Sequence, residues 1–138
     1  MSRRSRSKLV SDHVQPHNLM EELLRLNTIL EQATSDYGEA AYDFAIADDA
    51  YRKAKAVSYL AAITDDKRKP RKEQRTIPAL EATQDIECEQ ERLQERLCKA
   101  RKEACKEKVE SCRAQLNALQ SISAMVRSEM ELAGKAPR

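Results

Sequence analysis

Apolar residues recur along the first half of the chain in steps of four and three: Leu19, Leu23, Leu26, Leu30, Ala33, Tyr37, Ala40, Phe44, Ala47, Tyr51, Ala54, Ser58 and Ala61, with Ser58 the one polar member. That alternation keeps one stripe in line on an α-helix and defines a heptad seam. It predicts a helix over 18–62. At the helical rise, residues 19–61 span about 65 Å. Asn18 supplies an N-cap, and Glu21 stands at the N3 position of a capping box. Gly38 lies inside the helix, off the seam. It costs about 1 kcal/mol against Ala and permits a local bend. The seam is Leu-rich at first and then mixes Ala with Tyr and Phe. Ala admits close helix approach, so the two halves are expected to meet different partners.

Residues 64–75 break the pattern, and Pro70 forbids a continuous helix there. A second helix is expected over 77–133. Pro78 fits its first turn, Glu81 and Asp85 complement its positive end, and Gly134 offers a C′ residue. Its seam runs Ile77, Leu80, Ile86, Leu93, Leu97, Ala100, Ala104 and then Val109, Cys112, Leu116, Leu119, Ile122, Val126, Met130, Ala133. The stretch 81–91 is nearly all polar and is the weakest part of it. Residues 1–16 read as a flexible basic tail, 17–134 as a single helical domain and 135–138 as a short tail. The expected fold is all-α: two long helices in a hairpin or coiled-coil arrangement. Each hairpin leaves apolar stripe uncovered, so homo-oligomerisation is expected. Leu19, Leu23, Leu26, Leu30, Leu116, Leu119 and Val126 are the expected oligomer interface.

Composition agrees. The 138 residues hold 2 Gly, 4 Pro, 4 Tyr, 1 Phe and no Trp, which is too few turn and strand formers for a β-sandwich or an α/β sheet. Charged residues make up 35%, and the mean hydropathy is −0.75. With Gly38 and Gly134 the only glycines, phosphate-cradling glycine loops are excluded. The two histidines, His13 and His17, lie near the start, and no zinc-binding spacing exists. No enzyme, cofactor or metal site is expected. No apolar run is long enough for a membrane span, and no signal-peptide pattern opens the chain. A cytoplasmic location is expected.

The net charge is only +2, but its sign is segregated. Residues 1–10 carry Arg3, Arg4, Arg6 and Lys8 without an acid. Residues 67–75 carry Lys67, Arg68, Lys69, Arg71, Lys72 and Arg75 against Glu73 alone. Upstream, Arg52, Lys55 and Tyr59 share one helix stripe beside the seam, with Lys53 next to them. Two readings stand. The cations line a path for single-stranded nucleic acid, with phosphates on Lys and Arg and bases stacked on Tyr. Alternatively they dress a solvated helix, since Asp48–Arg52 and Asp49–Lys53 form i,i+4 pairs that need no ligand. The acid pairs Asp48/Asp49 and Asp65/Asp66 read as solvated faces, not as metal ligands.

Cys98, Cys105 and Cys112 are spaced by seven and share one helix face. Neighbours in that series stand about 10 Å apart along the axis, too far for a disulfide or a shared metal within one helix. With Cys88, they read as small buried hydrophobes in a reducing compartment.

In layout, residues 37–134 resemble the UvsY-like recombination mediators of tailed phages. The similarity lies in the Lys/Arg-and-Tyr helix from Tyr51-Arg52-Lys53-Ala54-Lys55 to Tyr59, the polar loop 64–75, and a C-terminal helical segment. That segment opens at Ile77-Pro78-Ala79-Leu80-Glu81-Ala82 and closes at Glu129-Met130-Glu131-Leu132-Ala133-Gly134-Lys135. The resemblance implies a helical, ring-forming protein without catalytic activity. Such a protein binds single-stranded DNA and helps load a RecA-type recombinase onto strands covered by single-strand-binding protein. It implies DNA binding by Arg52, Lys53 and Lys55, to which the charge pattern itself adds Tyr59 and Lys67, Arg68, Lys69, Arg71 and Lys72 of the loop. The basic tail, the Cys stripe, the absence of Trp and the more basic, Gly-free loop depart from the family pattern. The rival expectation is a coiled-coil scaffold or adaptor that binds no nucleic acid.

Overall fold

The computed structural model describes residues 16–135, so the N-terminal basic block, His13 and the C-terminal tail lie outside the described residues. The order is α1 (Pro16–Lys67), a single 3-10 turn (Arg71–Glu73), α2 (Ile77–Glu87) and α3 (Glu89–Lys135). No strand occurs among the described residues, and the two long helices, α1 and α3, pack together. No described helix is long and apolar enough to cross a membrane.

The boundaries differ from expectation at four places. The first helix starts at Pro16, so Asn18 lies inside it instead of capping it. Proline's fixed φ suits a first helical position. The same helix passes through Gly38 without a positive φ and runs on to Lys67, five residues past the expected end. Its last turns are closed by 3-10-type bonds from Arg68 N–H to the Asp65 carbonyl (3.2 Å) and from Lys69 N–H to the Asp66 carbonyl (3.0 Å). The second helix is two helices. The break falls at the buried Cys88, whose ψ of 21° leaves the helical region. The hydrogen-bond ladder survives on both sides, from Cys88 N–H to the Gln84 carbonyl and from Arg92 N–H to the Cys88 carbonyl, each at 2.9 Å. At the far end Gly134 is helical and not a left-handed C′ residue, and α3 continues to Lys135.

The described chain divides into two compact units. In the first, residues 16–35 of α1 pack along residues 106–135 of α3. Leu19, Leu26 and Ala33 are buried there against a stripe containing Val109, Cys112 and Leu116. Leu23, Leu30, Leu119 and Val126 flank them half-buried. The leucines expected between copies thus contribute to packing within the chain.

The second unit holds residues 36–105. Ala40 and Ala47 continue the buried seven-residue spacing, with Tyr37, Phe44 and Tyr51 half-buried beside them. Beyond Ala47 the register changes: Ser58, Ala62 and Asp66 are buried, and Ala61 is exposed instead of lying on the seam. Steps of four advance the contact line about 40° around the helix at each turn. The line therefore leaves the heptad track as α1 meets α2 and the loop. Ser58 Oγ donates to Glu87 Oε2 (2.5 Å), and Gln84 Nε2 donates to the Lys55 carbonyl (3.4 Å). These bonds satisfy polar groups that burial takes out of water.

The first part of the second seam is turned over. Leu80 is buried as expected, but Ile77, Ile86, Leu93, Leu97, Ala100 and Ala104 are exposed. The stripe that meets α1 is Gln84, Cys88, Glu91, Glu95, Cys98, Lys102 and Cys105. Long polar side chains serve as packing here because their stems are apolar. Lys102 Nζ lies 4.9 Å from the centroid of the Phe44 ring.

Candidate nucleic-acid interface

Apart from the N-terminal basic block, which lies outside the described residues, the cations singled out by the sequence lie in the second unit. There α1 and α3 run antiparallel. Asp43 accepts from Arg101 Nη1 at 2.9 Å, and further along α1 Ser58 meets Glu87 at the end of α2, just before α3 begins. That register sets the Arg52 stretch of α1 beside the Arg92–Arg96 turn of α3. Asp48, Tyr51, Arg52, Lys55, Arg92, Glu95 and Arg96 line one open groove of about 280 Å³. Four cations and two carboxylates leave its walls net positive.

Within that groove, Arg52 Nε is 3.1 Å from Asp48 Oδ2. Lys55 Nζ sits 5.2 Å from the centroid of the Tyr51 ring. Lys53 lies outside the groove lining, 2.9 Å from Asp49 Oδ2. The hydrogen bond to Asp49, and then its charge, raise the Lys53 ammonium's pKa and keep it charged. Tyr59 is 37% exposed and does not line the groove. The ring beside the cations is Tyr51, which the sequence marks as a seam residue. Arg92 and Arg96 were missed. They lie just past the polar 81–91 stretch, and only the hairpin register brings them to Arg52.

The basic loop is partly structural. Arg75, which belongs by sequence to the basic run, is half-buried and pins the loop. Its backbone N–H donates to Asp66 Oδ2 (2.9 Å) and its Nε to Asp66 Oδ1 (3.0 Å). Its Nη2 reaches the Ala62 carbonyl at 3.4 Å. Asp66 is thus a buried anchor, correcting the solvated-face reading of the Asp65/Asp66 pair. Burial works against its charge. The backbone and side-chain hydrogen bonds from Arg75, with the charges of Arg75 and Lys69, outweigh that and lower its pKa. Lys69 is 3.5 Å from Asp65. Lys67, Arg68, Arg71 and Lys72 are exposed, with no carboxylate within salt-bridge distance among the described residues.

The cysteines are free thiols. Cys88 and Cys112 are buried, while Cys98 and Cys105 are half-buried. Burial, with Glu91 and Glu87 nearby, pushes the Cys88 thiol up, so it stays protonated and packs as a hydrophobe. Among the described residues no group of three His, Cys, Asp or Glu is placed to hold a metal ion.

Comparison with known proteins finds no family model that matches the chain, and no curated protein or solved structure that matches it.

Proposed function

We propose that this chain is a helical accessory protein that binds single-stranded DNA by electrostatics. Following the likeness in layout to UvsY-like mediators, it assembles with copies of itself and helps load a RecA-type recombinase onto DNA covered by single-strand-binding protein. That role implies a cytoplasmic site of action and no catalysis. The observation that carries the binding is the meeting of Arg52 and Lys55 on α1 with Arg92 and Arg96 on α3 in one groove. Cations on both walls take successive phosphates and release their counterions. Tyr59 and the exposed Lys67, Arg68, Arg71 and Lys72 belong to the same unit and add contacts outside the groove. Each copy binds weakly, and an assembly presenting several grooves gains avidity.

A scaffold role is the second reading. It is favoured by the carboxylates that already hold Arg52 and Lys53. On that reading the ion pairs are helix dressing and the groove takes no ligand. Fluorescence anisotropy of a labelled single-stranded oligonucleotide, with a duplex control, separates the two. Preference for the single strand supports the proposal. No binding at low salt leaves the scaffold.

A further inference from the structure

In the second unit, the apolar stripe of α3 is turned off the line that meets α1 and stays exposed. Leu93, Leu97, Ala100 and Ala104 recur in steps of four, three and four, and all are exposed; Leu93 and Leu97 are each 57% exposed. The face toward α1 carries Glu91, Glu95, Cys98, Lys102 and Cys105 instead. At the helical angle per residue, the two stripes stand about 150° apart. The outer stripe has heptad spacing and remains exposed, with only Leu97 bordering α1. Exposed Ile46 of α1 extends it, beside Leu97 in a second groove of about 480 Å³.

We propose that this outer face of α3 is the contact with a second copy of the chain, α3 against α3 and antiparallel, about a two-fold axis midway between Leu97 and Ala100. The inference rests on the assembly half of the proposed function and not on nucleic-acid binding. Size and charge both select this arrangement. Antiparallel pairing sets Leu97 on Ala100 of the second copy and Leu93 on Ala104 of the second copy, large on small in every layer. Arg96 and Glu103 flank the seam on one side, both exposed, and they meet as opposite charges twice by symmetry. On the other side Gln94 meets Arg101, whose charge Asp43 already balances at 2.9 Å. A parallel pairing stacks Leu on Leu and leaves Ala facing Ala. It also brings Arg96 against Arg101 of the second copy, a repulsive pair.

The test is sedimentation velocity of the full chain across micromolar concentrations, with reductant and without nucleic acid. The wild type is expected to self-associate, and Leu97→Lys to abolish that association with helicity unchanged by circular dichroism. Arg96→Glu alone and Glu103→Arg alone each turn two attractions into repulsions and weaken association on the order of tenfold. The double variant Arg96→Glu/Glu103→Arg restores it. A monomeric wild type, self-association indifferent to Leu97→Lys, or a double variant no better than the single ones overturns the proposal.

Discussion

The salt dependence of binding offers the sharpest test of the groove, because its size follows from counting charges. Four cations line it, Arg52, Lys55, Arg92 and Arg96, together with the carboxylates of Asp48 and Glu95. If every cation meets a phosphate, about four counterions are displaced; if the carboxylates neutralise their share, about two are. For a single strand, log K then falls against log salt with a slope between about −1.4 and −2.8. Raising salt from about 50 to about 200 mM should weaken binding by roughly 7- to 50-fold. The perturbation is Arg52→Gln together with Arg92→Gln, one from each wall, leaving Arg96 and the α3 seam untouched. With two of four cations gone, the slope should become shallower by about 1.4 units. Lys53→Gln is the control, since Lys53 is held by Asp49 outside the groove and should leave the slope alone. Anisotropy titrations of an oligonucleotide at three salt concentrations read all three proteins. A double variant with the wild-type slope, or a Lys53→Gln effect as large as the double variant's, refutes the groove as the binding surface.

Three further outcomes concern stability. A Cβ on Gly38 meets no atom within 4 Å and its φ is negative, so Gly38→Ala should stabilise the protein by about 1 kcal/mol in urea unfolding. Ala40 is fully buried, so Ala40→Leu should overpack that layer and cost about 1–3 kcal/mol in the same assay. The lowered pKa of Asp66 means that the folded state holds its charge more readily than the unfolded chain does. Its contribution is present above the ordinary carboxylate range and is lost as pH falls through the lowered value. Thermal melts between neutral pH and about pH 3 should therefore show acid destabilisation that Asp66→Asn reduces. An identical pH dependence in the variant refutes the anchor.

The heptad spacing through Leu19, Leu26, Ala33, Ala40 and Ala47 determined α1 by itself, because a stripe in steps of four and three has one low-energy solution, a helix burying that stripe. Pro70 likewise required a break between helices, whatever surrounded it. The second helix was less legible. Leu93, Leu97, Ala100 and Ala104 read as core by hydrophobicity, yet they face outward while Cys98, Lys102 and Cys105 face α1. A periodic apolar stripe says that something covers it, but not whether the cover is its own hairpin or another molecule. The binding groove and the Asp66–Arg75 anchor depended on tertiary structure for the same reason. Arg92 lies 40 residues from Arg52 in the chain, and Asp66 and Arg75 stand on opposite sides of a proline loop. Local composition determined which residues are helical and which are charged. Only the antiparallel register decided which charges meet, since Coulomb and hydrogen-bond energies depend on distances that sequence separation does not fix.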